Sequence, residues 1–152
     1  MNLLFDEESH GLIVAAKKEM LRLKHPYVGS EHLLLAILKN TDLEETKKLN
    51  FYGITYEKVY KELINSVGIG KVSNQWFLFT PMLKRIITNA EYYDKENKIT
   101  VIGLIMALLQ EGDGVANRIL WTLQIDNGAL LEKFINEYYR ENTNYSKCSN
   151  NT

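Results

Sequence analysis

The sequence predicts an all-α protein, and three observations carry that prediction. Only two prolines occur in 152 residues, Pro26 and Pro81. Apolar residues recur at spacings of three and four along most of the chain, and the strict alternation of a half-buried strand is scarce. A chain of this length forms one domain, or two small subdomains that share a core. Its 45% apolar content is enough to build that core.

The first helix is expected from Asp6 to Lys24. Leu12, Ile13, Ala16, Met20 and Leu23 share one face. Asp6, Glu7 and Glu8 stand at the positive end of its dipole. Pro26 breaks it, because the residue before a proline avoids the helical region. Ser30 is expected to cap a second helix, with Glu31 in its first turn. Leu33, Leu34, Leu35, Ile37 and Leu38 make that helix apolar almost all round, which predicts burial on several sides. Thr41 and Glu44 have the capping-box spacing for a third helix, which Gly53 closes. Thr55 opens a fourth, buried through Val59, Leu63 and Ile64.

Residues 65–79 read as a connector, since Gly68, Gly70, Ser73 and Asn74 interrupt the periodicity. Helical spacing returns at Thr80-Pro81, a cap followed by proline at the first helical position. Ile86, Ile87, Ala90 and Tyr93 form its stripe. Thr100, Asp113 and Asp126 are the expected caps of three further helices. From Glu141 onward the chain is polar, and a disordered tail is expected over 141–152.

The bulk numbers exclude several function classes. Net charge is −1, so no basic field draws nucleic acid. The single cysteine, Cys148, provides neither an internal disulfide nor a thiolate zinc site, and fits a reducing cytoplasm. The N-terminal residues lack the charge and apolar length of a signal peptide. The most apolar window, Ile99 to Leu109, is too short to span a membrane. A soluble, cytoplasmic protein is expected, with no membrane partner. No phosphate-binding G-x-x-x-x-G-K-[ST] loop occurs, so no nucleotide cofactor and no ATPase activity are expected from this chain.

The chain also repeats itself. "GSEHLLLAIL" lies over "TVIGLIMALL", "EETKKLNFYGI" over "VANRILWTLQI", and "TYEKVYKEL" over "DNGALLEKF". Two four-helix units are expected, over about 5–65 and 80–140, joined by the 66–79 connector. Each unit alone is short of core, so a pseudo-twofold pair with equivalent grooves is expected.

"VGSEHLLLAIL", followed by "FTP" and then "EGDGVANRIL", resembles the amino-terminal repeat domain of the Clp AAA+ unfoldases, closest to the ClpC branch. The resemblance covers about residues 3–140. It implies a compact bundle of eight helices, without catalytic activity, that docks adaptor proteins and marked substrates for an ATPase ring. In ClpC-type members it further implies phosphoarginine binding, with the glutamate of each GTEH-type turn receiving the guanidinium. By that resemblance Glu31 matches the first such glutamate and Ser30 the preceding threonine. Thr80 and Lys84 match the polar contacts to the phosphate. The second glutamate position holds Ile102, Gly103 replaces the following histidine and Thr100 the glycine. Asp6 stands where the first repeat usually has threonine, and its charge opposes a phosphate. One phosphoarginine pocket is therefore expected rather than two. The altered second site also fits a free-standing regulator or decoy that associates with itself or with a Clp ring.

Each candidate residue has a plainer reading. Glu31 can simply complement the helix dipole, worth about 0.3–1 kcal/mol. A carboxylate is also the natural partner of a planar five-donor guanidinium. His32 is expected to be a buried or capping residue. His10, His25 and His32 lack metal-site spacing. Ser30, Glu31 and His32 are adjacent at a helix start and diverge, so they are not read as a nucleophile with its base. Trp76, Phe77 and Phe79 are expected to strap the core, and to form a partner-binding patch if exposed.

Overall fold

The computed structural model describes residues 4–73 and 76–150, with the backbone alone for 142–150. Eight helices follow in order: α1 (Glu7–Leu23), α2 (Ser30–Lys39), α3 (Glu44–Phe51), α4 (Tyr56–Ser66), α5 (Pro81–Ala90), α6 (Val101–Glu111), α7 (Val115–Thr122) and α8 (Asn127–Asn150). Two short strands, β1 (Leu4–Phe5) and β2 (Lys98–Ile99), were not expected from the sequence. At two residues each they are too short for alternation to register.

The apolar runs form the centre. From Leu33 to Leu38 in α2 no residue is more than 3% exposed, and from Leu104 to Leu109 in α6 none exceeds 4%. Every face of these helices meets another helix, which is why the sequence carries no polar stripe there. α1 packs on α2, α5 on α6, and α8 on α6. Glu19 is the charged exception in α1, at 2% exposure. Arg22 pairs with it, Lys39 lies 3.4 Å away, and the Tyr56 hydroxyl donates to it at 3.1 Å. Burial, and then the Glu19 charge, push the Tyr56 phenol up to about 12.

Strand pairing ties the two halves together reciprocally. β1 pairs in parallel with β2, and the Asp6 N–H donates to the Ile99 carbonyl at 2.9 Å. Val28 forms a parallel bridge with Phe79, and the Thr80 N–H donates to the Val28 carbonyl at 2.9 Å. The start of α1 is thereby tied beside the start of α6, and the start of α5 beside the start of α2.

Several boundaries differ from the sequence reading. The N-cap of α2 is Gly29, not Ser30, and that of α7 is Gly114, not Asp113. Helix α3 starts at Glu44 behind Leu43, so Thr41 makes no capping box. Thr55, Thr80, Thr100 and Asp126 do accept the expected cap bonds, and Asp6, expected inside α1 as a complement to its dipole, is instead its N-cap. Helix α8 runs to Asn150, past residue 141. Asn74 lies outside the described residues.

The connector is docked through its backbone rather than its rings. The Gly70 N–H donates to the Leu23 carbonyl at 2.8 Å and the Val72 N–H to Lys24 at 3.1 Å. A Cβ at Gly70 would overlap the Lys24 carbonyl, so only glycine fits. Trp76 is 74% exposed, and Phe77 and Leu78 are also exposed. The expected core strap is therefore not formed: the backbone bridge to Val28 holds the segment and turns Trp76, Phe77 and Leu78 outward. Phe79 alone packs against the core, and the Lys17 ammonium lies 5.6 Å from the Phe77 ring.

Candidate functional site at the paired helix starts

The Val28–Phe79 bridge sets the N-termini of α2 and α5 side by side. Each helix start leaves unpaired N–H donors and the positive end of a dipole. The start of α7 joins them, since the Ala116 N–H donates to the Ser30 hydroxyl at 3.3 Å. A Cβ at Gly114 would meet Met82 of α5 at 3.3 Å and the Ser30 hydroxyl at 3.5 Å. Three helix starts thus converge on one notch.

Ser30 is buried, and its hydroxyl joins the halves rather than facing solvent. Glu31 is 9% exposed. Its carboxylate folds back over Gly29, where a Cβ would overlap Oε1. Burial pushes this carboxyl above the usual carboxylate range, while its own backbone N–H and the nearby His25 pull the other way. Thr80 is half-buried and caps α5, accepting from the Leu83 N–H at 3.1 Å. Lys84 is exposed, one turn into α5. No hydrogen bond or ion pair joins Glu31 to Thr80 or Lys84 among the described residues. The notch gathers the four sequence-predicted residues by element, but Glu31 is turned inward.

His32 has a role the sequence reading left general. Its Nδ1 accepts the Gly29 N–H at 2.9 Å, which places its proton on Nε2. That Nε2–H donates to His25 Nδ1 at 2.8 Å, which places the His25 proton on its own Nε2. The His25 Nε2–H donates in turn to the Gly68 carbonyl at 2.8 Å. The partners determine both tautomers, and His32 is neutral. Burial, then the neighbouring His25, lower the His32 pKa to about 3. Glu31 Oε1 stands 3.5 Å from His32 Nδ1. This is not an ion pair, because that nitrogen directs its lone pair at Gly29. The relay links the start of α2 to the end of α4 and the connector. The pairing of His25 with His32 could not be found from sequence, since the two lie seven positions apart with a proline between them.

The second notch, at the starts of α1 and α6, is built differently. Thr100 caps α6 by accepting from the Gly103 N–H at 3.1 Å. A Cβ at Gly103 would lie 3.3 Å from the Ala90 carbonyl and 3.4 Å from the Tyr93 Cβ. The end of α5 and the 3-10 turn after it, Glu91–Tyr93, crowd Gly103 and leave little room there for a side chain. Asp6 already accepts the Ser9 N–H at 2.8 Å, with Glu7 and Glu8 beside it. Ile102 is only partly buried.

The profile of the Clp repeat (R) N-terminal domain matches residues 4–103. The chain belongs to the Clp repeat (R) N-terminal domain family. Among curated relatives of this Clp N domain, the negative regulator of genetic competence ClpC/MecB of Bacillus subtilis is 31% identical over 126 residues. That alignment covers 80% of this chain and 15% of the relative. The chaperone protein ClpB of Oceanobacillus iheyensis is 27% identical over 124 residues, with the same coverages of 80% and 15%. The chain therefore matches only a small part of the length of these relatives. Among solved structures, the N-domain of ClpV from Vibrio cholerae has a TM-score of 0.69 at 17% identity, covering 89% of this chain and 85% of that one. The N-terminal domain of ClpD from Arabidopsis thaliana has a TM-score of 0.68 at 20% identity, covering 88% and 93%. A ClpV N-domain in complex with a VipB peptide has a TM-score of 0.65 at 18% identity, covering 86% and 84%. The all-α, eight-helix expectation and the family resemblance stand. Among the described residues no helix is long and apolar enough to cross a membrane, and no three His, Cys, Asp or Glu side chains group as metal ligands.

Proposed function

We propose that this Clp N domain is a non-catalytic recognition module, made of two repeats over about 5–65 and 80–140, that docks adaptors or substrates for a Clp AAA+ unfoldase. The observation that carries the reading is the pairing of the α2 and α5 starts, with Glu31, Thr80 and Lys84 on them. A ClpV N-domain of similar fold is known with a VipB peptide, which supports polypeptide docking. Within the notch, phosphoarginine is the proposed mark. Its phosphate suits paired helix starts and the Lys84 ammonium, and its guanidinium suits Glu31. Binding requires the Glu31 carboxylate to swing off Gly29, and a guanidinium supplies the compensating charge that the buried carboxyl lacks.

Calorimetric titration of phosphoarginine is the test. Wild type is expected to give binding heat that Glu31→Ala and Lys84→Ala each abolish. No heat with wild type ends the phosphoarginine reading. A second reading rests on Ile102, Gly103 and Asp6: a regulator or decoy that associates with itself or with a Clp ring without binding phosphoarginine. Co-purification with a ring, or a dimer by light scattering, together with no phosphoarginine heat, favours that reading.

A further inference from the structure

Three cavities share walls outside the notch. The first, ≈ 340 Å³, lies between the end of α3 and α8, against Lys48, Phe51, Tyr52, Lys133, Glu137 and Arg140. The second, ≈ 180 Å³, shares Tyr52 and Lys133 with it and extends to Ile125 and Asp126. The third, ≈ 850 Å³, shares Ile125 and Asp126 and reaches Trp121. Together they form one furrow across the ends of α3 and α7 and along α8. None of its walls belongs to Ser30, Glu31, Thr80 or Lys84.

Two features of this furrow point to a ligand. A large aromatic ring stands at each end: Phe51 is 84% exposed and Trp121 is 78% exposed. Neither contributes to the core, yet both are large apolar rings held in water beside a concave surface, as anchors of protein interfaces are. The charge is also uneven. At the Phe51 end three cations face one carboxylate, and Lys48 already pairs with Glu137. Lys133 lies 4.9 Å over the Tyr52 ring, and neither it nor Arg140 has a carboxylate partner among the described residues. At the other end the Asp126 carboxylate is engaged as the α8 cap, accepting from the Ala129 N–H at 3.0 Å.

The geometry points to a second docking surface, in which this furrow takes a peptide segment of a partner protein carrying two apolar side chains and, at the Phe51 end, an acidic residue. The apolar side chains seat against Phe51 and Trp121. The acidic residue meets Lys133 and Arg140. This surface is independent of the notch, so it operates with or without phosphoarginine recognition.

The test is selection of 12-residue peptides from a phage-displayed random library on the full chain, followed by fluorescence anisotropy of the selected peptides. The expected winners combine Asp or Glu with apolar residues and bind wild type and Glu31→Ala alike. Phe51→Ser, Trp121→Ser and the double variant Lys133→Glu/Arg140→Glu should each weaken them about tenfold or more. All four positions are exposed, so melting curves should match wild type. Winners without acidic residues, winners unaffected by the furrow variants, or an empty selection would overturn the proposal. So would a wild-type dimer that Phe51→Ser dissociates, since a second copy would then cover the furrow.

Discussion

The two notches solve one local problem with opposite parts. A helix start needs its first N–H groups satisfied. At α2 the side chain at the third helical position, His32, reaches back to the cap N–H. At α6 the cap side chain, Thr100, reaches forward to the third N–H. Each notch holds one half of the reciprocal arrangement that a capping box combines. The consequences are large. The α2 solution brings a buried imidazole, a second imidazole from the α1–α2 turn and a tether to Gly68. The α6 solution brings a single hydroxyl and room for a close helix crossing. Lys84 stands at the first notch, while the second carries Asp6, Glu7 and Glu8. On the proposed reading, Lys84 favours an anionic ligand at the first notch, and the three carboxylates oppose one at the second.

The largest expected effect tests that asymmetry directly. His32→Ala strands the Gly29 N–H and His25 Nδ1 and leaves a cavity, and should cost about 2–4 kcal/mol by urea unfolding. Thr100→Ala removes one exchangeable cap and should cost about 1 kcal/mol. Equal losses would mean that the relay adds nothing beyond a cap.

The second test is pH. The folded-state pKa of His32, about 3, lies below its unfolded value near 6.5. The unfolded state therefore binds the proton first. Stability is fully present above about pH 6.5 and falls as pH drops toward 3, by at most about 1.4 kcal/mol per unit. The raised Glu31 pKa acts with the opposite sign, since the native state keeps that proton longer, but only near and above the ordinary carboxylate range. Urea midpoints at pH 7 and pH 5 should differ in wild type, and the difference should shrink in His32→Gln. A flat wild-type profile between these values contradicts the neutral relay.

The smallest effect compares the ends of α3 and α7, which close alike. Gly53 and Gln124 both adopt positive φ, at 86° and 65°. Ile54 donates to Leu49 at 2.9 Å and Ile125 to Leu120 at 3.0 Å, the six-to-one bond of a Schellman closure. A left-handed conformation strains glutamine but not glycine. Gln124→Gly should raise stability by about 0.5 kcal/mol and Gly53→Ala should lower it by about 1 kcal/mol. Thermal melts of the two variants moving in the same direction would show that the closures are not equivalent.

Much of this was legible in the chain. Apolar spacing located the helices, Thr55, Thr80, Thr100 and Asp126 announced their caps, and Gly53 announced its turn. The caps that misled, Ser30 and Asp113, each sit beside a glycine that took the cap position instead. Of the candidate site, the residues were legible but not their posture. Glu31 turns inward, Ser30 is engaged by α7, and Trp76 faces water although the three residues after it are apolar.

The division has a physical cause. Helix formation, capping and chain closure are settled within a few residues, so one strand of letters is enough to specify them, and the echo between the two halves is visible for the same reason. Which way a polar side chain faces depends on what distant segment is pressed against it. His25 meets His32 because Pro26 folds the chain back, Gly103 stays small because the end of α5 lies over it, and Phe51 and Trp121 bracket one furrow because α8 runs between the ends of α3 and α7. Those meetings exist only once the helices are packed.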